Sequence, residues 1–406
     1  MKVLMAHSCY QYRGGEDMVF EREASLLESN NVEVIRYEKH NHDILDRGRI
    51  RAASRAFWNS GVYREVRELI RQHRVDVVHI TNMMPGLSPS IYRAARSEKV
   101  PVVQSVHNFR LAGCLNGFFL RDSRVCCECS GQRFSWQGVL HGCYRNSRSQ
   151  SLVAAASLAL HRMINNDLHG IAAWIALTDF SRDELIRSGL PGDRIYVKPN
   201  FLEQNIEPGA GSGDYAVFAG RMSQEKGIMT MIRAWKILQD RGVAPPLKIV
   251  GDGPLLHEAM ADAAHLPVVE FTGQLANDQT LNLLKSARCL IVPSEWYEVF
   301  PLVILEAYAS GTPVIASGIG NLLSLVQDGS TGWHFRAGDA ADLADVVERA
   351  FSDASFGTTM RAAARRSYEQ IGGRNENFRQ LSSIYQKAIG FGRSMCDDAQ
   401  RVPQKM

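Results

Sequence analysis

The sequence predicts an α/β chain of two doubly wound parallel-sheet domains facing a cleft, and three observations predict it. Short apolar runs alternate with longer amphipathic ones over residues 1–200. A polar, glycine-rich stretch, Glu203–Asp214, interrupts that alternation and has linker chemistry. The alternation then restarts at Tyr215 and runs to Ala316. Strands alternating with helices of this length build βαβ units and hence parallel sheets.

Taken in order, Val3–His7, Val32–Tyr37, Val75–Ile80, Val100–Val106, Ile171–Leu177 and Ile195–Val197 read as strands. Between them Gly15–Asn30, Val62–His73, Ser88–Ser97, Ser151–Asp167 and Ser181–Ser188 read as helices. After the linker come strand Tyr215–Gly220, helix Ile228–Asp240, strand Leu247–Gly251 and helix Pro254–Ala264. Strand Val268–Thr272, helix Asp278–Ala287, strand Cys289–Pro293, helix Pro301–Ser310 and strand Pro313–Ala316 follow. A last helical stretch, Asn375–Ala388, has no further strand behind it. These boundaries give a Rossmann-like domain over 1–203 with a cysteine-rich insertion over 113–146, and a second Rossmann-like domain over 214–371. A C-terminal helix over 372–391 is expected to pack back on the first domain.

Composition narrows the class. With 45% hydrophobic and 22% charged residues, the chain is neither disordered, coiled-coil nor collagenous. The apolar run Leu152–Leu160 is nine residues long, half of the roughly 18 that a membrane span needs. The first residues carry no secretory-signal pattern, so a cytoplasmic protein is expected, with peripheral contact at the inner membrane face. The net charge of +3 hides an asymmetry. Residues 1–200 hold 27 Lys+Arg against 20 Asp+Glu, and 23 of those 27 are Arg. The remainder holds 19 against 23. The planar Arg fork suits phosphate, so an Arg-rich half suggests phosphates or an anionic membrane surface. Any one of these arginines also fits an ordinary solvated face.

Ligands of doubly wound sheets bind beyond the carboxyl ends of the strands, and three features of the second domain fall there. In Gly220-Arg221-Met222-Ser223-Gln224-Glu225-Lys226-Gly227, two cations follow a strand end, as a diphosphate without a metal would require. A solvated loop with a Lys–Glu pair is the plainer reading. Gly251-Asp252-Gly253-Pro254 is a tight strand-to-helix turn that lets backbone approach a ligand, or merely a connection. In the third stretch Glu298 precedes a helix and Glu306 lies inside it, with seven residues between. That helix has one charge among ten residues, so it is expected to be buried nearly all round. An ionised Glu306 there needs a hydrogen-bond donor such as a ribose or sugar diol. The free N–H groups at the helix start, around Val299, Phe300, Pro301 and Leu302, mark an anion site.

Several residues in chain order carry a family resemblance: Gly14-Gly15-Glu16, His107-Asn108, Lys198-Pro199-Asn200, Gly220-Arg221 with Lys226, Gly251-Asp252-Gly253, and Glu298 with Glu306. The sequence resembles the retaining, nucleotide-sugar-dependent glycosyltransferases with the two-domain GT-B fold, numbered family 4 among glycosyltransferases. The resemblance implies that Glu306 holds the ribose hydroxyls and Glu298 those of the transferred sugar. It implies that Arg221 and Lys226 hold the diphosphate, helped by the Gly15 N–H and the helix starting at Pro301. It places His107 beside the sugar, and Gly14, Asn200, Gly220 and Gly251 around the donor. The implied chemistry is metal-independent and keeps the anomeric configuration, with His107, Glu298, Arg221 and Lys226 as the catalytic set. The implied acceptor is a glycan or a saccharide on a polyprenyl diphosphate, in bacterial-type surface polysaccharide synthesis. Two other readings fit the same residues: a nucleotide-sugar epimerase, and a non-catalytic nucleotide- or zinc-binding partner protein.

Of eight cysteines, five lie between Cys114 and Cys143. Cys114, the Cys126/Cys129 pair and Cys143 make a candidate four-thiolate structural zinc site, with His141 as a substitute ligand. Unrelated free thiols are the alternative. The insertion is rich in Arg (Arg121, Arg124, Arg133) and aromatics (Phe118, Phe119, Phe134, Trp136). With Arg47, Arg49, Arg51, Arg55, Arg64, Arg67, Arg71 and Arg74, interleaved with Phe57, Trp58 and Tyr63, it suggests a lipid-facing surface. No nucleic-acid-binding motif accompanies that stretch, so nucleic acid is not an expected partner.

Overall fold

The structure, a computed structural model, describes residues 1–9, 14–40, 55, 57–84, 86–117, 120–121, 124–164, 170–353, 356, 358–371 and 373–401. The chain divides into two compact units. Met1–Gly117, Cys127–Asn200 and Arg374–Met406 form the first; Phe118–Cys126 and Phe201–Gly373 form the second. Phe118, Phe119 and Arg47, Arg49 and Arg51 lie outside the described residues.

The strands of the first unit are β1 (Lys2–Cys9), β2 (Glu33–His40), β3 (Val77–Asn82), β4 (Val102–Ser105), β7 (Ala173–Ala176) and β8 (Ile195–Val197). A two-residue antiparallel ribbon, β5 (Leu120–Arg121) with β6 (Arg124–Val125), interrupts the series. The six long strands pair in the order β2-β1-β3-β4-β7-β8, and every pairing is parallel. Strands covered on both faces read as continuous apolar runs, which is why β1 and β3 are buried along nearly their whole length. The sheet order reverses between β1 and β3, so a topological switch point lies beyond the carboxyl ends of those two strands.

The second sheet contains β9 (Ala216–Ala219), β10 (Leu247–Val250), β11 (Val269–Gly273), β12 (Cys289–Val292), β13 (Val314–Ser317) and β14 (Gly332–Phe335). Its order, β11-β10-β9-β12-β13-β14, is the dinucleotide-fold order, and its switch point lies between β9 and β12. β14 is a strand that the apolar pattern does not announce. Helices Ala340–Ser352 and Thr359–Ile371 follow it before the chain returns to the first unit.

That return is the helix Arg374–Arg401, which outruns the apolar stretch ending at Ala388. It sets Leu381, Ile384, Tyr385 and Ala388 into the same core as Val3, Phe20, Val77 and Val103. It also carries polar groups inward. Tyr385 Oη meets His79 Nδ1 at 2.7 Å, and His79 Nε2 meets Ser105 Oγ at 2.8 Å. Asn377 accepts from Lys198 Nζ at 2.9 Å and donates to the Pro199 carbonyl at 2.7 Å. Lys198 in turn pairs with Glu23 at 2.7 Å, both fully withdrawn from water. Burial alone would raise the Glu23 pKa, but the Lys198 charge and hydrogen bond outweigh it and hold it below the ordinary value. His79 shows the opposite balance. Burial drives its pKa down to about 4 against the pull of Glu23.

Candidate active site

In the second unit, the loops leaving β9 and β12 flank the switch point and are knitted together. Lys226 ends a short 3-10 turn, Gln224–Lys226, and Gly227 after it is left-handed at φ 71°. A Cβ at Gly227 would fall on the Pro293 carbonyl, so this position needs glycine both for its φ and for its space. Glu295 N–H donates to the Glu225 carbonyl at 2.9 Å, and Thr230 Oγ1 donates to Glu295 Oε1 at 2.6 Å. Lys226 Nζ is thereby held 2.6 Å from Glu298 Oε1 and 5.4 Å from the Trp296 ring centre. Ser294 Oγ donates to the same Glu298 oxygen at 2.6 Å, and Asn321 Nδ2 donates to the Glu298 carbonyl.

Glu298, not Glu306, is the buried carboxylate. Only 6% of Glu298 is exposed. Burial would raise its pKa, yet the charge of Lys226 and the hydrogen bonds from Lys226, Ser294 and Trp296 bring it below the ordinary value. The expectation that Glu306 is buried all round is corrected by the helix Leu302–Ala309. Leu302, Val303 and Glu306 share one half-exposed face, while Ile304, Leu305, Ala307, Tyr308 and Ala309 are buried. Three and four residues apart on a helix, those positions line one side. Glu306 is therefore presented at an open helix face whose first turn has no side-chain cap. Val299 and Pro301 are buried just before it, and Phe300 is half-buried.

Arg221 is exposed and has no partner among the described residues. The expected twin clamp is thus asymmetric: one cation is free, the other already faces a carboxylate. Gly251 and Gly253 explain the shape of the Arg221 loop. A Cβ at Gly251 would fall on the Gly220 carbonyl, and one at Gly253 on the Met222 backbone. Met222 N–H also donates to the Asp252 carbonyl at 2.9 Å. The two glycines let the β10 loop brace the β9 loop. Gly220 itself has room, with only the Phe218 ring 3.7 Å from a Cβ.

In the first unit the corresponding loops are also tied together. Asp17, one turn into the helix Gly15–Ser29, accepts from Gly14 N–H at 2.7 Å and meets His7 Nε2 at 2.9 Å. His7 Nδ1 meets Thr81 Oγ1 at 2.7 Å, and its ring stacks on Phe20 at 4.8 Å. Asn108 Nδ2 donates to Glu16 Oε1 at 3.2 Å, which ties the Gly14-Gly15-Glu16 turn to the loop after β4. Gly15 has neither a positive φ nor a neighbour within 4 Å of a Cβ. Nothing in its own unit requires glycine there.

His107 follows β4 and is 7% exposed. Its Nε2 is buried without a hydrogen-bond partner among the described residues, beside a small, partly open pocket lined by Asn82, Met83, Gln104, Asn108 and Leu111. Burial lowers its pKa despite the opposing pull of Glu16 and Glu23, so the neutral imidazole is favoured. Asn200 is also buried, with an unpartnered Oδ1. Spacing and residue type alone did not reveal His7, Asp17, Thr81, Ser294, Thr230, Glu295 or Asn321 as members of these clusters.

The thiol cluster is looser than its spacing suggests. Cys114 donates to Asn116 Oδ1 at 2.9 Å, and none of the seven described cysteines is in a disulfide. Among the described residues, groups of three or more metal-ligating atoms within 4.8 Å are His7/Cys9/Asp17 and Cys9/Glu38/His40. Cys114, Cys126, Cys129 and Cys143 form no such group. Two of them, Cys129 and Cys143, nonetheless border one contact. A Cβ at Gly138 would meet Leu115 Cδ1 at 2.8 Å and Cys129 Sγ at 3.4 Å, and Cys143 N–H donates to the Gly138 carbonyl.

Two six-stranded parallel sheets of doubly wound order make this an α/β protein of two Rossmann-like units. Residues 13–200 match the Glycosyl transferase 4-like domain and residues 203–367 the Glycosyl transferases group 1 family. The two matched stretches lie in tandem, and the fold is the two-domain GT-B fold of glycosyltransferases. It is 35% identical over 153 residues to glycogen synthase of Mycobacterium tuberculosis, covering 37% of this chain and 36% of that protein. It is 29% identical over 231 residues to the D-inositol 3-phosphate glycosyltransferase of Pseudarthrobacter chlorophenolicus, covering 51% and 53%. The aligned stretches thus span about a third to a half of these relatives. Among solved structures, Anabaena HepE in complex with UDP and glucose superposes with a TM-score of 0.64 at 18% identity, covering 94% of this chain and 99% of that one. Sucrose-phosphate synthase from Thermosynechococcus elongatus gives 0.70 at 15%, covering 96% and 100%. Identities this low speak to the fold alone.

Proposed function

We propose that this chain is a retaining glycosyltransferase that moves a sugar from a nucleotide-diphosphate donor to a glycan or lipid-linked saccharide, without a catalytic metal. The observation that carries the reading is the cluster at the second switch point. Free Arg221, the Lys226–Glu298 pair and the uncapped start of helix Leu302–Ala309 offer cations and N–H groups to a diphosphate, and a carboxylate to hydroxyls. Glu306, on the open face of that helix, is the ribose ligand in this reading. In the first unit, the backbone at Gly15 is open enough for an anion to approach, and buried His107 is favoured as a neutral imidazole. The acceptor oxygen bonds to the anomeric carbon on the face that the diphosphate leaves. The bond from that carbon to the phosphate oxygen breaks, and the acceptor proton passes to the departing phosphate. HepE with bound UDP and glucose supports a nucleotide-sugar donor.

Calorimetry with UDP, GDP and dTDP, in the presence of EDTA, tests the site. One nucleotide is expected to bind, and Glu306→Ala to weaken it by about 1–3 kcal/mol, the cost of losing a charged hydrogen bond. Binding of none overturns the placement. Turnover then separates the alternatives: released nucleotide with an α-configured product from an α-configured donor means retaining transfer, and an isomerised donor means epimerase.

A structural zinc in the insertion belongs to the same reading, supported by the spacing of Cys114, Cys126, Cys129 and Cys143 and by the shared Gly138 contact. About one equivalent of zinc is expected in the purified protein and none in Cys126→Ser/Cys129→Ser. Zinc below a tenth of an equivalent in the native chain ends that assignment.

A further inference from the structure

The basic stretch that the sequence offers as a lipid-facing surface is partly spent on internal pairing. Arg67 and Arg71 both bind the Glu98 carboxylate, at 2.6 and 2.8 Å. The structure exposes a different surface. Helix Trp136–Leu140 and helix Arg148–Ile164 pack their inner sides on a small cluster of Leu115, Ala155, Leu158, Phe134, Val139 and Tyr144. Their outer sides carry Trp136 at 59%, Leu140 at 61%, Leu152 at 46% and Leu160 at 37% exposure. Trp136 and Leu140 are one turn apart, as are Arg148 and Leu152, and Arg148 Nε donates to the Leu140 carbonyl at 2.9 Å, so the two rows adjoin. Leu140, Leu152 and Leu160 take no part in that cluster, and the Trp136 ring touches its margin at Phe134, 4.5 Å between ring centres, while staying mostly exposed.

Charge marks the same segment. From Cys129 to Asn166 the sequence has no Asp or Glu, and it carries Arg133, Arg145, Arg148 and Arg162. Arg133, Arg145 and Arg148 are exposed. Exposed Trp and Leu interspersed with exposed Arg in a segment without acidic residues is the composition of one lying in a headgroup layer, where apolar tips enter the acyl boundary and cations meet anionic lipid. A soluble protein partner would more commonly be met by mixed charges around the apolar centre.

We propose that the outer faces of these two helices dock the chain on an anionic lipid bilayer. The proposal relies on the lipid-linked acceptor only for its purpose, and vesicle binding is measured without donor or acceptor. The probe is a vesicle of equal parts phosphatidylglycerol and phosphatidylcholine, compared with phosphatidylcholine alone. The native chain is expected to sediment with the first and not the second, and to be released by high salt. Trp136→Ser/Leu140→Ser and Arg133→Glu/Arg145→Glu are each expected to weaken the partition about tenfold or more. Circular dichroism checks the folding of both, and the charge-reversal variant decides the matter if the apolar one unfolds. No sedimentation, or sedimentation untouched by both variants, overturns the proposal. So does a native dimer that the variants convert to monomer, because a second copy then covers the patch. Vesicle binding by a chain that binds no nucleotide keeps this surface and removes the donor reading instead.

Discussion

Lys198→Met is expected to destabilise the first unit by about 3–5 kcal/mol, the range for stranding one member of a buried ion pair. Glu23 would lose Lys198, its ion-pair partner among the described residues, while remaining 1% exposed, and its Oε2 already lacks a hydrogen bond there. Asn377 would lose its contact with Lys198 as well, so the helix Arg374–Arg401 should loosen where it meets the sheet. The variant Glu23→Gln/Lys198→Met, with no charge left to strand, should recover much of the loss. Linkage gives a second signature. In the native chain Glu23 has a lowered pKa, so its contribution is present above the unfolded value, near 4.5, and is lost as pH falls through the folded one. With Lys198 gone, burial dominates, the Glu23 pKa rises, and the variant should approach native stability as pH falls and the carboxyl is neutralised. Denaturant unfolding followed through the buried Trp174 of β7 measures both effects. A single variant that costs under about 1 kcal/mol would mean that water reaches Glu23 and that the pair is not sealed.

Much of this fold is written in the sequence because parallel strands buried on both faces leave unbroken apolar runs, as β1, β3, β9 and β12 do. β14 escapes for a physical reason. It begins at Gly332, a residue that ordinarily interrupts strands, and there the glycine is demanded by the Val314 carbonyl that a Cβ would strike. The candidate site divides the same way. Motif residues at strand ends can be picked out one at a time, but which charges meet is a property of three dimensions. Lys226 and Glu298 are 72 residues apart in the chain and 2.6 Å apart in space. Glu98 likewise draws Arg67 and Arg71 from a distant helix. A count of charges along the sequence treats all of these groups as free. Glu306 reads as buried from the sequence because a nearly all-apolar helix implies burial on every side, whereas this one keeps Leu302, Val303 and Glu306 partly exposed.

Lys226→Met and Arg221→Ala should both abolish most turnover, by about a hundredfold to a thousandfold if each cation stabilises the departing diphosphate. Their stabilities should differ sharply. Arg221 is exposed and unpartnered, so removing it leaves the second unit as stable as before. Lys226 is the charge partner of a carboxylate that is 7% exposed, so its loss leaves Glu298 buried and uncompensated. About 1–3 kcal/mol is expected, less than for Lys198 because the Lys226 side chain is itself 26% exposed and partly screened. The pH dependence follows from the lowered Glu298 pKa. The pair contributes above the unfolded value of about 4.5 and is lost as pH falls through the folded value, so the stability gap between native and Lys226→Met should narrow toward acid. Steady-state turnover and thermal unfolding of the two variants, measured side by side, distinguish a diphosphate ligand from a structural lysine. If Lys226→Met loses stability but keeps turnover while Arg221→Ala loses turnover alone, then Lys226 serves to hold Glu298 in place, and the free arginine carries the diphosphate without it.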